Sequence, residues 1–322
     1  MLDVAKILRQ KDDRFDTVVF FDETPEDIVE TQKRIPGAIG FPGTFTDIVL
    51  LEDPDEDSVI DGLDPPPGRA DDRGERDRQK RLSMRRDLIR SFPFDVLNLD
   101  LYDFLFRPTD PPPGRLIAAL RKMCSWQKRA IEGASGANRH INSFSLMFTT
   151  RIGPPNINAE YMEMLRERIH SNLQDVPNLV GLLETRSGVR TVTELEAAGF
   201  DLFFKLAMPK LLTAMFMEED WHIDSTNGIV TYEFERVSGD ARYKMLHLVM
   251  DIRRIDPPKE LRAPGFVPPN ARDAYRTVVQ QIFERPEVVI TNESVDRLAL
   301  EENLRLIQSR RNRYYPEGAG LR

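Results

Sequence analysis

The stretch "FPFDVLNLDLYDFLF", residues 92–106, decides how the rest of the chain is read. Its Val and Leu content fits a strand lying inside a sheet, and Asn98, Asp100, Tyr102 and Asp103 then interrupt the apolar run towards its end. In an open α/β sheet, side chains leaving the carboxyl ends of parallel strands line the ligand crevice. On a surface strand the same residues would be ordinary turn chemistry. Asn98 and Asp100 share one face by the period of two, and an unpaired carboxylate buried there would be costly. The spacing makes Asn98, Asp100, Tyr102 and Asp103 the candidate catalytic group.

Working outward, "FDTVVFFDETPEDIVETQKRIPG" begins with a β-branched and aromatic run, residues 17–22, that ends at Asp22 and Glu23. A helix start follows: Thr24 suits an N-cap, Pro25 the first turn, and Glu26 and Asp27 its positive end. Pro36 and Gly37 stop that helix. "FTDIVLLED" (45–53) reads as a second buried strand, at 46–52. Strands at 95–101 and 143–150 follow, the last from "INSFSLMFTTRI", with a helix over 114–131 between them. This alternation predicts parallel β-α-β crossovers and a helix-covered sheet.

Two segments break the rhythm. The charged stretch 53–81, which contains Pro65 to Pro67, has little to bury and is expected to be a mobile excursion before a helix near 82–91. "RPTDPPPGR" (107–115) suits a rigid lip over the strand end or a plain connector. After Arg151 a helical insertion over 156–220 is expected, its longest helix broken near Pro209. Strands at 229–236 and 243–253 around Ser238-Gly239-Asp240 then form an antiparallel hairpin at a sheet edge. Two domains result: an α/β unit over 1–256 and a helical extension over 257–322. No internal repeat is found.

This order of elements resembles the class I S-adenosylmethionine-dependent methyltransferase fold from its second strand onward, including the closing antiparallel pair. The fold class it implies is α/β and Rossmann-like, a mainly parallel sheet with a C-terminal antiparallel hairpin and extra helices. The resemblance places Asp22 and Glu23 where that family holds the ribose hydroxyls of S-adenosylmethionine, a task suited to carboxylates. "NLDLYD" stands where the family's polar residues sit beside the methyl-accepting atom. "LDLYD" is similar to the "LDPFG" of some RNA-modifying members, with Leu101 and Asp103 replacing the proline and glycine. The family's Gly-rich first loop has no counterpart, since "GAIGFPG" (37–43) follows a helix and precedes a strand, the context of a turn. Three readings follow: the first strand is lost, the chain continues upstream, or another chain supplies the strand.

At the next strand end, "FTTRI" offers Thr149, Thr150 and Arg151. Of these, Thr150 and Arg151 are the substrate or structural candidates: Arg151 could pair with Asp100 or clamp an anionic ligand. His140, His170, His222 and His247 lack metal-site spacing, and no metal ligands are assigned. Cys124, the single cysteine, reads as a small buried hydrophobe and points to a reducing, cytoplasmic setting. Neither a G-x-S-x-G elbow nor a Walker loop occurs. A metal-dependent nuclease would draw on Asp22, Asp47 and Asp100. A net charge of −8 argues against a surface coated in positive charge. A local basic and aromatic tail, "RLIQSRRNRYY" (305–315), could still dock on nucleic acid or an acidic partner. That tail and the missing loop support a second reading, a non-catalytic scaffold or partner subunit of a nucleic-acid-associated complex. No apolar run is long enough to span a membrane.

Overall fold

The computed structural model describes residues 19–22, 24–34, 37–60, 73–100, 114–133, 143–152, 159–175, 178–198, 200–235, 242–257, 262, 264–285 and 287–290. It is an α/β structure. The first strand, β1 (Val19–Asp22), leads through helix α1 (Pro25–Arg34) to β2 (Ile39–Pro42). β1 and β2 pair in parallel, from Val19↔Ile39 to Asp22↔Pro42, as a two-stranded sheet of their own. Phe20, Ile28 and Ala38 close a small core under α1. A Cβ on Gly40 would come within 2.5 Å of Ile28 Cγ2 and 2.8 Å of Phe20, so glycine is what lets the helix lie on the strand. On the other face Phe21 and Phe41 stack at 5.4 Å and join the main core.

Residues 46–52 are not a strand. Helix α2 (Phe45–Val49) starts there, with the Thr44 hydroxyl accepting from Asp47 N–H at 3.2 Å. The cap fixes the helical turn, and burial of Ile48 and Val49 then outweighs the β-propensity of the run. Helix also replaces loop in much of the predicted excursion. α3 (Glu56–Ile60) precedes the eighteen-residue α4 (Arg73–Arg90). Its charges are absorbed by pairing. Arg86 clamps Asp53 through two hydrogen bonds of 2.8 Å, Arg85 bonds Glu56, Lys122 reaches Glu56 at 2.8 Å, and Trp126 Nε1 donates to Glu56 at 2.8 Å. Arg85 lies fully buried, its guanidinium 5.0 Å from the centre of a Trp126 ring.

The larger sheet has five strands in the order β3 (Val96–Asp100), β4 (Ser143–Ile152), β6 (Arg242–Arg254), β5 (Trp221–Glu235), β7 (Val288–Ile290). β3 and β4 are parallel and are joined across helix α5 (Arg115–Gly133). β6 runs antiparallel to both β4 and β5, and β7 lies parallel to β5. The expectation of one mainly parallel sheet is thus corrected in three respects. β1 and β2 stand apart, the large sheet is mixed, and the hairpin is not at an edge because its second strand is central. "MLHLVMDI" explains the last point: Leu246, Leu248, Met250 and Ile252 are all buried on one face, as suits a strand with neighbours on both sides.

Between β4 and β5 come α6 (Ala159–Asp175), α7 (Leu179–Ser187), α8 (Val192–Ala198) and α9 (Phe200–Glu218). α9 is not broken at Pro209 and continues through it. A buried helix with apolar residues all round recovers by packing what the missing N–H costs. α10 (Ala271–Glu284) then leads to β7, which the sequence did not announce. No described helix is long and apolar enough to cross a membrane.

Candidate functional site

The two faces of the large sheet differ. On the closed face Phe144, Leu146, Phe148 and Thr150 of β4 alternate with buried Leu246, Leu248 and Met250 of β6 and with Ile229 and Thr231 of β5. The helices make their named contacts on this side. Trp221, in edge contact with Phe144 at 5.1 Å, donates from its indole N–H to the Cys124 carbonyl of α5 at 3.1 Å. Lys205 of α9 reaches Glu287 at 2.6 Å, and Glu287 also accepts from Thr231.

The other face is half open and more polar. Val96 is 44 % exposed and Asn98 is exposed, while Ser145, Met147, Val249, Asp251 and Val230 are only partly covered. Polar groups here bridge neighbouring strands. Asp251 accepts from Ser145 at 2.9 Å and from Ser225 at 2.7 Å. Nearer the carboxyl ends of β3 and β4, Thr149 Oγ1 and His247 Nδ1 lie 2.8 Å apart. Asp100 is the register partner of Thr149, and Thr149 of His247, so one row crosses β3, β4 and β6. In the next row Arg151 and Tyr232 flank Met245.

The structure therefore separates the residues singled out from sequence. Asn98 and Arg151 share the half-open face, with the Asp100 backbone in register beside Thr149. Thr150 lies on the closed face, fully buried. Tyr102, Asp103 and Glu23 lie outside the described residues, as does the tail 305–315. Asp22 ends β1 in the smaller sheet, where its Oδ1 accepts from Thr24 N–H at 2.9 Å at the start of α1, leaving one carboxylate oxygen for another donor. Asp47 sits in α2 and binds Arg115 at 2.8 Å. The Thr44 hydroxyl bond holds its carboxyl below the usual range, burial opposes this, and Arg115 adds to the lowering. Asp22 and Asp47 are thus engaged separately, and among the described residues no three metal-ligating side chains are grouped.

His247 and Thr149 are what sequence reasoning passed over. His247 lacks metal-site spacing, and its position on a strand of the hairpin is the signal that marks it. The buried His222, near the start of β5, has its pKa lowered by desolvation, which opposes its protonation. Burial likewise raises the Cys124 thiol, so it stays protonated and inert. No protein-family model, curated protein or solved structure matches this chain.

Proposed function

We propose that the protein is a Rossmann-like, methyltransferase-like α/β protein whose ligand end is the polar row at the carboxyl ends of β3 and β4. The observation that carries this reading is the strand arrangement. Parallel β3 and β4 are joined through a helix, and a closing antiparallel pair enters the sheet through its second strand beside β4. A closing antiparallel pair is the feature that sets the class I methyltransferase fold apart from nucleotide-binding dehydrogenases, and ligands in open α/β sheets bind at strand carboxyl ends. Asn98 and Thr149 supply hydrogen-bonding groups for orienting an acceptor there, and Asp100 is the candidate proton acceptor.

S-adenosylmethionine is the cofactor this reading implies. The remaining Asp22 oxygen suits a ribose hydroxyl, and Glu23 is its candidate companion. When bound, the cofactor would supply the methyl group. Gly43, in the turn from β2 to α2, has nothing within 4 Å of a Cβ built on it and so makes no close backbone approach, and binding is expected to be weak. Calorimetric titration of the folded protein with S-adenosylmethionine is the test. Weak, saturable binding that Asp22→Ala removes is expected. No heat of binding at millimolar ligand, or tight binding indifferent to Asp22→Ala, would refute the cofactor assignment. The first of these outcomes would favour the scaffold reading, in which the half-open face serves a partner.

A further inference from the structure

The rows at the carboxyl end of the half-open face carry more than an acceptor-orienting amide. Arg151 and Thr149 are two residues apart on β4 and lie on one face. His247 stands opposite Thr149 on β6, and Tyr232 stands one strand further, in the Arg151 row. Adjacent strands are about 4.8 Å apart, so Thr149, Arg151 and His247 occupy neighbouring positions on β4 and β6, while Tyr232 stands two strands from Arg151, across the buried Met245, within reach of long side chains. All of these side chains but Thr149, which is 3 % exposed, are only partly covered. A cationic fork, a titratable ring steadied by the buried Thr149 hydroxyl, and the Tyr232 hydroxyl on one half-open face are chemically suited to a tetrahedral oxyanion.

We infer that this patch binds a phosphate group, so that the ligand of the half-open face is a phosphate-bearing molecule. The inference rests on reading this face as the ligand end, but it does not require methyl transfer or S-adenosylmethionine. His247, Arg151 and Tyr232 each already take part in interactions, which a phosphate would join or replace. The charged and titratable residues around His247 are Arg151 on β4, Asp100 at its register position on β3, Tyr232 on β5 and Asp251 on its own strand. Arg151 favours an anion; Asp251 disfavours one. A protonated imidazole would tip the balance towards binding as pH falls, because its charge is gained below its pKa.

The experiment is a titration of the intact protein with inorganic sulfate, a phosphate mimic whose own charge is constant between about pH 5.5 and about pH 8, the interval in which an ordinary imidazole titrates. Saturable binding is expected at the lower pH and should weaken by about fivefold or more at the higher one. His247→Gln should remove that pH dependence, and Arg151→Gln should weaken binding about tenfold or more, the size of a lost charged hydrogen bond. His170→Gln, on the exposed surface of α6, is the control and should change nothing. Circular dichroism melts confirm that each variant is folded. Absence of saturable sulfate binding at the lower pH, or binding that neither His247→Gln nor Arg151→Gln alters, would overturn the proposal. The second result would mean an adventitious ion only. Sulfate binding with no response to S-adenosylmethionine would leave this inference standing and sink the cofactor assignment instead.

Discussion

Two polar clusters in this protein are built in opposite ways. The first, under α4, gathers Asp53, Asp55, Glu56, Arg85, Arg86, Lys122 and Trp126 into a network in which each carboxylate meets a cation or an indole N–H, while the buried Arg85 Nη1 makes no hydrogen bond. The second crosses β3, β4 and β6 on the half-open face, where Thr149 and His247 bond to each other and Asn98 remains exposed. A cluster whose carboxylates are all paired around a buried arginine is a brace. One that leaves donors at an open surface is available to a ligand. The difference lies in coverage rather than in residue type, since both clusters mix carboxamide or carboxylate groups with cations.

The comparison breaks most visibly at Arg85. Arg85→Ala would leave Asp53 to Arg86 and Glu56 to Lys122, each with one cation fewer, and would empty a fully buried site beside Trp126, so the loss should approach about 3–5 kcal/mol, the cost of breaking a buried pair from one side. Chemical denaturation should show a loss of that size. A loss below about 1 kcal/mol, the scale of an exposed pair, would mean that the network is not a brace.

Acid should act on the same cluster. Asp53 is held below the usual carboxylate range by its hydrogen bonds from Arg86, against the effect of burial. For Glu56 burial pushes the pKa up, and the bonds from Lys122 and Trp126 with the Arg85 charge outweigh it. A carboxylate whose pKa is depressed in the folded state contributes stability that is complete above its unfolded value, about 4, and is lost as pH falls through the folded value. Melting temperature should therefore fall below about pH 4. The fall should be shallower in Arg85→Ala, where the depression is reduced. Parallel curves for the two proteins would locate the acid sensitivity elsewhere.

The smallest effect on stability is expected at Asn98. Asn98→Ala, on an exposed edge position, should change stability by no more than about 0.5 kcal/mol. If the half-open face is the ligand end, the same substitution should weaken ligand binding there. A large stability loss with unchanged binding would make Asn98 part of a brace as well, and would erase the distinction between the clusters.

Several features were legible without coordinates because they are local. β1 and the start of α1 follow from a β-branched run, Pro25 and two early acids. β3, β4 and the β5–β6 pair follow from apolar periodicity, and α5 from its helical spacing. Period two placed positions 98 and 100 on one face of β3, and the pairing of β3 with β4 brings Arg151 to the same side of the sheet. Residues 45–49 misled because a single cap at Thr44 overrode the propensity of the run. The charged segment after Asp53 misled because its partners, Arg85, Arg86 and Lys122, lie far along the chain.

What the sequence by itself determined is β1, α1, β3, α5, β4, the β5–β6 pair and the polar interruption of β3. Hydrophobic period, caps and turn residues act over a few neighbours and are written in the chain. Tertiary structure alone decided that β6 lies between β4 and β5, that Thr150 faces the core while Thr149 meets His247, and that β1 and β2 form a separate sheet. Those outcomes depend on which buried surfaces meet. Thr149 and His247 are nearly a hundred residues apart, and only the pairing of β4 with β6 brings a hydroxyl and an imidazole to hydrogen-bonding distance.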